Sequence, residues 1–263
     1  MKNIVAKKPK KSVSQGDVWI LGEHRIDCGS SSDKELVKKL MGGGVIRQIL
    51  TDPPYGVAYV ENKEHFKNKT GESQVSNATI IQGDQLQTEE EYAEFTKTWI
   101  EAVVPYLSKY NTIYIFNSDT MICALRKGMK EAGVYYSQLI IWVKNTVVIG
   151  RKDYLPQHEL IAYGWHGRHK MERSKAKSVI LCPKPAKSKL HPTMKPVQLL
   201  RQLIGNSTKI GDTVYDPFGG SGSTLIACEH YRRKCLMIEI DPDHVATTLQ
   251  RWEILTGQEA VKE

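Results

Sequence analysis

The segment that most constrains this chain is an apolar run that ends in Tyr215-Asp216-Pro217-Phe218-Gly219-Gly220-Ser221-Gly222-Ser223-Thr224. Residues Thr213–Tyr215 read as a strand, and Gly222–His230 read as the helix that follows it. Glycines at such a junction let the backbone turn tightly and approach a ligand with no Cβ in the way. The next strand, Cys235–Ile240, carries Glu239 at its tip, roughly 20 residues beyond the loop. An acid placed there can bind both hydroxyls of a ribose, so the unit suits a nucleoside-containing cofactor. No Lys follows the glycines as a phosphate-binding loop requires, and the spacing is not the G-x-G-x-x-G of a dinucleotide site.

The rest of the chain alternates in the same way. Val18–Leu21 and His24–Cys28 flank Gly22-Glu23 as a hairpin, Ser32–Met41 reads as a short helix, and Val45–Thr51 as a buried strand. Thr88 with Glu91 marks a capping box, opening a helix to Leu107 with Tyr92, Phe95, Trp99, Val103 and Tyr106 on one face. Strand Thr112–Phe116, helix Asp119–Ala132, and strands Gln138–Val143 and Glu159–Tyr163 follow. After them come a helix opened by Pro196 and a closing helix, Asp243–Leu255. Strands alternating with helices imply an α/β fold, a mostly parallel sheet with helices on both faces. Ligands in such sheets bind beyond the carboxyl ends of the strands.

A second loaded segment, Asp52-Pro53-Pro54-Tyr55, sits at such an end. A carboxylate and the neighbouring main-chain oxygen of Pro53 are two acceptors that can hold both hydrogens of a conjugated amine and draw out its lone pair. Proline fixes φ and stiffens the direction of that carbonyl. Tyr55 offers a flat face for an extruded base.

Together the two segments resemble the amino-methyltransferases of DNA, beta group, of the D-P-P-Y type, in which the catalytic motif precedes the cofactor motif. His191-Pro192-Thr193-Met194-Lys195-Pro196 resembles the segment before the cofactor loop in that group, and Gly16–Gly29, Trp142–Asn145 and Gln157–Gly164 are also similar to bacterial and prophage adenine methylases. The likeness spans residues 16–257. It implies a Rossmann-like methyltransferase fold, a seven-stranded sheet with one antiparallel strand, S-adenosyl-L-methionine as cofactor, and base flipping on double-stranded DNA. By that resemblance Asp52, Pro53, Pro54 and Tyr55 are catalytic. Asp216, Phe218, Gly219, Gly220, Ser221 and Gly222 meet the cofactor, Glu239 its ribose, and Thr193 and Lys195 its carboxylate. Asp at position 52 implies the 6-amino group of adenine; Ser there goes mostly with the 4-amino group of cytosine. Relatives commonly have Cys-Gly-Asp where this chain has Cys28-Gly29-Ser30, so Ser30, or nearby Asp33, stands in for an acid that contacts the cofactor's adenine. Relatives are often dimers, which makes a homodimer an expectation.

Charge and composition add the partner. The chain has 37 Lys and Arg against 29 Asp and Glu, a formal net charge of +8. Such a balance is compatible with a polyanion. Residues 1–15 read as a flexible basic arm and 258–263 as a tail. Between Gly167 and Leu190 the basic residues Arg168, Lys170, Arg173, Lys175, Lys177, Lys184, Lys187 and Lys189 stand against one acid, Glu172, and the first five are the candidate DNA contacts. This makes 165–190 the candidate DNA-recognition segment, with the polar stretch 57–87 as a mobile loop. Five scattered cysteines with no C-x-x-C pair predict reduced thiols and no metal site. No apolar run is long enough for a membrane span and no secretory signal is present, so a bacterial cytoplasm is the expected compartment.

Overall fold

The computed structural model describes residues 9–56, 86–147, 153–184 and 194–263. The stretch 57–85, residues 1–8 of the arm, and His191, Pro192 and Thr193 lie outside the described residues. The chain opens with the hairpin β1 (Val18–Leu21) and β2 (His24–Cys28), then α1 (Lys34–Met41) and β3 (Ile46–Thr51). Next come α2 (Glu89–Val103), β4 (Leu107–Asn117), α3 (Ile122–Glu131), β5 (Val134–Val143), β6 (His158–His166) and β7 (Val179–Leu181). The last elements are α4 (Val197–Ser207), β8 (Thr213–Asp216), α5 (Ser223–Tyr231), β9 (Lys234–Glu239), α6 (Pro242–Thr256) and β10 (Val261–Lys262).

The described strands form one sheet in the order β10-β1-β2-β9-β8-β3-β4-β6-β5-β7. Its centre, β2-β9-β8-β3-β4-β6-β5, is the seven-stranded arrangement implied by the resemblance, and β6 is its antiparallel member. The edges are longer than expected. β1 and β10 extend one side, and β7 runs parallel to β5 on the other. Two edge strands had been read otherwise: Val179–Leu181 lies inside the expected recognition segment, and Val261–Lys262 inside the expected tail. Both are too short to show a period of two, and pairing with a neighbour makes them strands. The arm is likewise held from Lys11 onward, which ion-pairs with Glu253 at 3.0 Å and donates to the carbonyl of Ala260.

Helices cover both faces. On one, α1, α2 and α3 bury Val37, Tyr92, Trp99 and Leu125 against Ile49, Ile113 and Tyr215. On the other, α4, α5 and α6 bury Leu203, Leu225 and Trp252 against Leu50, Tyr114 and Val214. The capping box at the start of α2 is formed as expected, with the Thr88 side chain on the Glu91 amide and the Glu91 carboxylate on the Thr88 amide. The helix stops at Val103, four residues short of the expected Leu107, because Pro105 turns the chain into a single 3₁₀ turn holding Tyr106. No described helix is long and apolar enough to cross a membrane.

Candidate active site

The parallel strands all end on one side of the sheet, and a cavity of about 610 Å³ opens there. Strands β3 and β8 are neighbours, with Ile49 paired to Tyr215, so the two loaded segments emerge side by side. Thr51 Oγ1 donates to Asp216 Oδ1 at 2.7 Å and links the two strand tips. Asp52, Pro53, Pro54 and Tyr55 line one part of the cavity; Asp216, Phe218, Gly219, Gly220, Ser221 and Glu239 line another.

The glycine loop is shaped by close packing. A Cβ at Gly219 would stand 2.4 Å from Met237 of β9. At Gly222, where φ is +78°, it would stand 2.4 Å from Thr248 of α6, so only glycine fits that turn. Gly220, by contrast, has nothing within 4 Å of the position a Cβ would take. Its amide donates to Glu239 Oε2 at 2.6 Å, and the Asp241 amide donates to Oε1 at 2.8 Å. His244 Nδ1 lies 3.6 Å from the same carboxylate. Burial opposes a charge on that imidazole, but Glu239 and Asp241 outweigh it and raise its pKa. Asp216 is fully buried, which pushes its carboxyl up to about 6 despite hydrogen bonds from Thr224, Thr51 and the Phe218 amide. Phe218 wedges its ring against Phe95 and Trp99 of α2 at 5.6 Å. Behind the loop, buried Arg251 of α6 donates to the carbonyl of Ser221 and, at 3.2 Å, to its hydroxyl.

The other part of the cavity is a cluster of charges. Tyr55 donates its hydroxyl to Asp52 Oδ1 at 2.6 Å, and Lys195 Nζ lies 2.5 Å from Asp52 Oδ2. Lys195 also lies 3.1 Å from Glu159 Oε2, and Lys144 lies 2.6 Å from Glu159 Oε1. Both lysines are buried, at 8% and 5% exposure. The two carboxylates differ. Burial and the neighbouring Glu159 push the Asp52 pKa up against the pull of Lys195. Burial also works on Glu159, but two lysines overcome it and hold that carboxyl below its ordinary range. Lys195 is raised, because the two carboxylates outweigh its own burial. Phe116 and Asn117 at the end of β4, Trp142 near the end of β5, and Pro156 and His158 complete this wall.

Lys195, expected at the cofactor's carboxylate, is held between Asp52 and Glu159 in this structure. Ser30 does line the cavity, whereas its alternative Asp33 caps α1, accepting from the amides of Glu35 and Leu36. The basic residues are displaced most. Because β6 is antiparallel, it begins at the cavity and ends at the opposite rim of the sheet. Arg168 there bridges to Tyr110 near the start of β4, Arg47 donates to the carbonyl of Lys170, and the Arg173 amide donates to Asn206 at the end of α4. Lys175 and Lys177 lie on the exposed return to β7. None of the five lines the cavity; Lys184, just past β7, does. Sequence reasoning assigned no role to Lys144, Glu159, Phe116, Trp142 or Arg251. Lys144, Trp142 and Glu159 fall within segments singled out for their resemblance, so a signal existed, but nothing in a linear sequence joins them.

The chain is similar to known proteins in sequence and in fold. The Type II methyltransferase M.HpaI of Haemophilus parainfluenzae is 27% identical over 187 residues, which cover 61% of this chain and 59% of that protein. The chain thus spans less than two thirds of that relative's length. The Type II methyltransferase M2.DpnII of Streptococcus pneumoniae is 26% identical over 227 residues, 78% of this chain and 81% of that protein. Among solved structures, the M1.HpyAVI–SAM complex superposes with a TM-score of 0.61 at 24% identity, covering 86% of this chain and 98% of that one. The cytosine-N4-specific PvuII DNA methyltransferase gives 0.65 at 17% identity, over 94% and 89%. A family model for the N6/N4 DNA methylases matches residues 46–250, and the chain belongs to that DNA methylase family.

Proposed function

We propose that this protein transfers a methyl group from S-adenosylmethionine to the N6 amino group of adenine in double-stranded DNA, on a base turned out of the helix. The observation that carries this reading is the shared cavity: the Glu239 carboxylate, held by two amides beside an open glycine, at one part and the Asp52 carboxylate at the other. The cofactor fits the residues present. Glu239 is fixed by two backbone amides with lone pairs remaining for a diol, and the missing Cβ of Gly220 leaves the approach clear. Ser30 at the mouth offers one uncharged hydrogen-bonding group for a base. When bound, the cofactor supplies a methyl carried on a sulfonium, already electrophilic.

The protein's part is then to aim the amine. Asp52 and the Pro53 carbonyl accept its two hydrogens, which turns the nitrogen lone pair out of the ring's conjugation and toward the methyl. Positioning of this kind supplies most of the rate where the electrophile is already activated. The Tyr55 ring supports the base, while its hydroxyl fixes the Asp52 carboxylate. The methylated nitrogen becomes acidic and gives up its proton, with Asp52 the nearest acceptor. Lys184 and the residues around the mouth meet the phosphate backbone. The resemblance of Asp52-Pro53-Pro54-Tyr55 favours adenine.

Incubation with methyl-labelled cofactor and unmethylated mixed DNA, followed by nucleoside mass spectrometry, tests the proposal. N6-methyladenine is the expected product. N4-methylcytosine would change the base, and no label in DNA would reject the activity.

A further inference from the structure

One ionisable group in the cavity has no part in the chemistry above. Glu159 opens the antiparallel strand β6, and β6 alone among the central strands brings its first residues to this rim. Its Oε1 is fixed by Lys144, and Lys144 is in turn pinned through its backbone, its amide donating to the Gln157 carbonyl at 2.8 Å and its carbonyl accepting from Gln157 Nε2 at 3.1 Å. Its Oε2 faces Lys195 at 3.1 Å and makes no aligned hydrogen bond.

The need for such a group follows from Asp52. One of its oxygens takes the Tyr55 hydroxyl and the other the Lys195 ammonium. An incoming amine must displace or share one of them. Tyr55 is a neutral donor held by its own segment on Oδ1, whereas Lys195 is the charged competitor on Oδ2. Lys195 is too buried to be released into water, and a buried ammonium stripped of its counter-ion is strongly disfavoured. We propose that Glu159 is a positioning residue, the alternate counter-ion onto which Lys195 leans when the target amine takes its place on Asp52. Lys195 then moves between two carboxylates without losing a partner, and Asp52 is freed at the moment a base arrives. The inference rests on the reading of Asp52 as the amine's acceptor.

The test compares E159Q and Glu159→Asp with wild type, using labelled methyl transfer to unmethylated genomic DNA at saturating cofactor. Turnover is followed against pH, with calorimetric cofactor binding and thermal unfolding alongside. E159Q keeps the shape but removes the alternate anion, so Lys195 stays on Asp52. Turnover should fall about 10-fold or more while the cofactor Kd changes less than about 3-fold. Removing the neighbouring negative charge should also move the acid limb of the profile to lower pH, by roughly half a unit or more. Glu159→Asp keeps the charge and should restore turnover to within about 5-fold of wild type. An E159Q protein with wild-type turnover and an unmoved acid limb would overturn the inference. So would equal losses of turnover, cofactor affinity and melting temperature in both variants, the pattern of a purely structural contact. If wild type itself transfers no methyl, the reading of Asp52 fails and the inference falls with it.

Discussion

Around Gly220 and Glu239 the cavity wall is largely backbone. Two amides hold the acid, and a Cβ at either flanking glycine would collide with β9 or α6. Around Asp52 the wall is side chains, drawn from the ends of β3, β4 and β5, the start of β6 and the segment before α4. The first part is rigid because its shape is set by what cannot be added. The second is held by mutual charge, with Lys195 within ion-pair distance of both Asp52 and Glu159. A nucleoside-binding cradle gains from the first arrangement, and a site that must admit a base and let it go gains from the second.

The comparison can be broken at several points. Asp52→Ala should lower methyl transfer by about 10²–10⁴-fold, yet change cofactor affinity less than about 3-fold. Calorimetry and label incorporation would check it, and retained turnover would remove Asp52 from the reaction. Gly222→Ala should cost about 1–3 kcal/mol of stability from backbone strain alone, before its collision with Thr248. Gly220→Ala carries similar strain, at φ +50°, but no collision, so it should cost less stability than Gly222→Ala while weakening cofactor binding, since its methyl would enter open space. Equal melting temperatures and equal affinities in the two variants would erase the distinction between scaffold and cradle.

Asp216 gives a pH signature. Its carboxyl is raised from 3.8 to about 6 in the folded protein by burial. Between those values the folded state holds a proton that the unfolded state has lost, so this residue's contribution to stability declines as pH rises through the window. Urea unfolding of Asp216→Asn should show a flatter pH dependence between about pH 4 and 6. An unchanged slope would mean that Asp216 ionises at its ordinary value. Ser30→Asp should tighten cofactor binding roughly 3–10-fold, because a charged acceptor replaces a hydroxyl at the mouth. No gain in calorimetric affinity would show that Ser30 is no handicap. The smallest effect is expected for Arg168, Lys170 and Arg173 changed together to Ala, with methyl transfer altered less than about 2-fold, since exposed charges distant from the cavity are screened. A large loss would return DNA to that rim of the sheet.

Legibility in the sequence followed the same division. The glycine loop, Glu239 and Asp52–Tyr55 are each local: a strand, a turn and the next residue type suffice to read them. The alternation of strands and helices likewise revealed a mostly parallel sheet, while its antiparallel member was implied only by the resemblance to the DNA amino-methyltransferases. Lys144, Glu159 and Lys195 meet only because three separate segments converge, and one sequence carries no record of that meeting. The place of the basic run was hidden for a related reason: the direction of β6 decides which rim of the sheet it occupies, and direction is a tertiary property. β7 and β10 were hidden by brevity, since two or three residues cannot display a period.

The register of β6 has one more consequence. Leu160 pairs with Asn117 on one side and Ile141 on the other; the matching continues to Gly164 against β4 and to Tyr163 against β5, where the register shifts between Tyr136 and Gln138. Side chains alternate along a strand, so a slip by one residue would put His158 or Leu160 where Glu159 faces the two lysines. The ladder therefore acts as a ruler, measuring from residues deep in the sheet the spot where a single negative charge must stand. Substitutions that loosen the pairing of Ala162 or Tyr163 would be felt at the cavity as a misplaced charge before they were felt as a loss of fold.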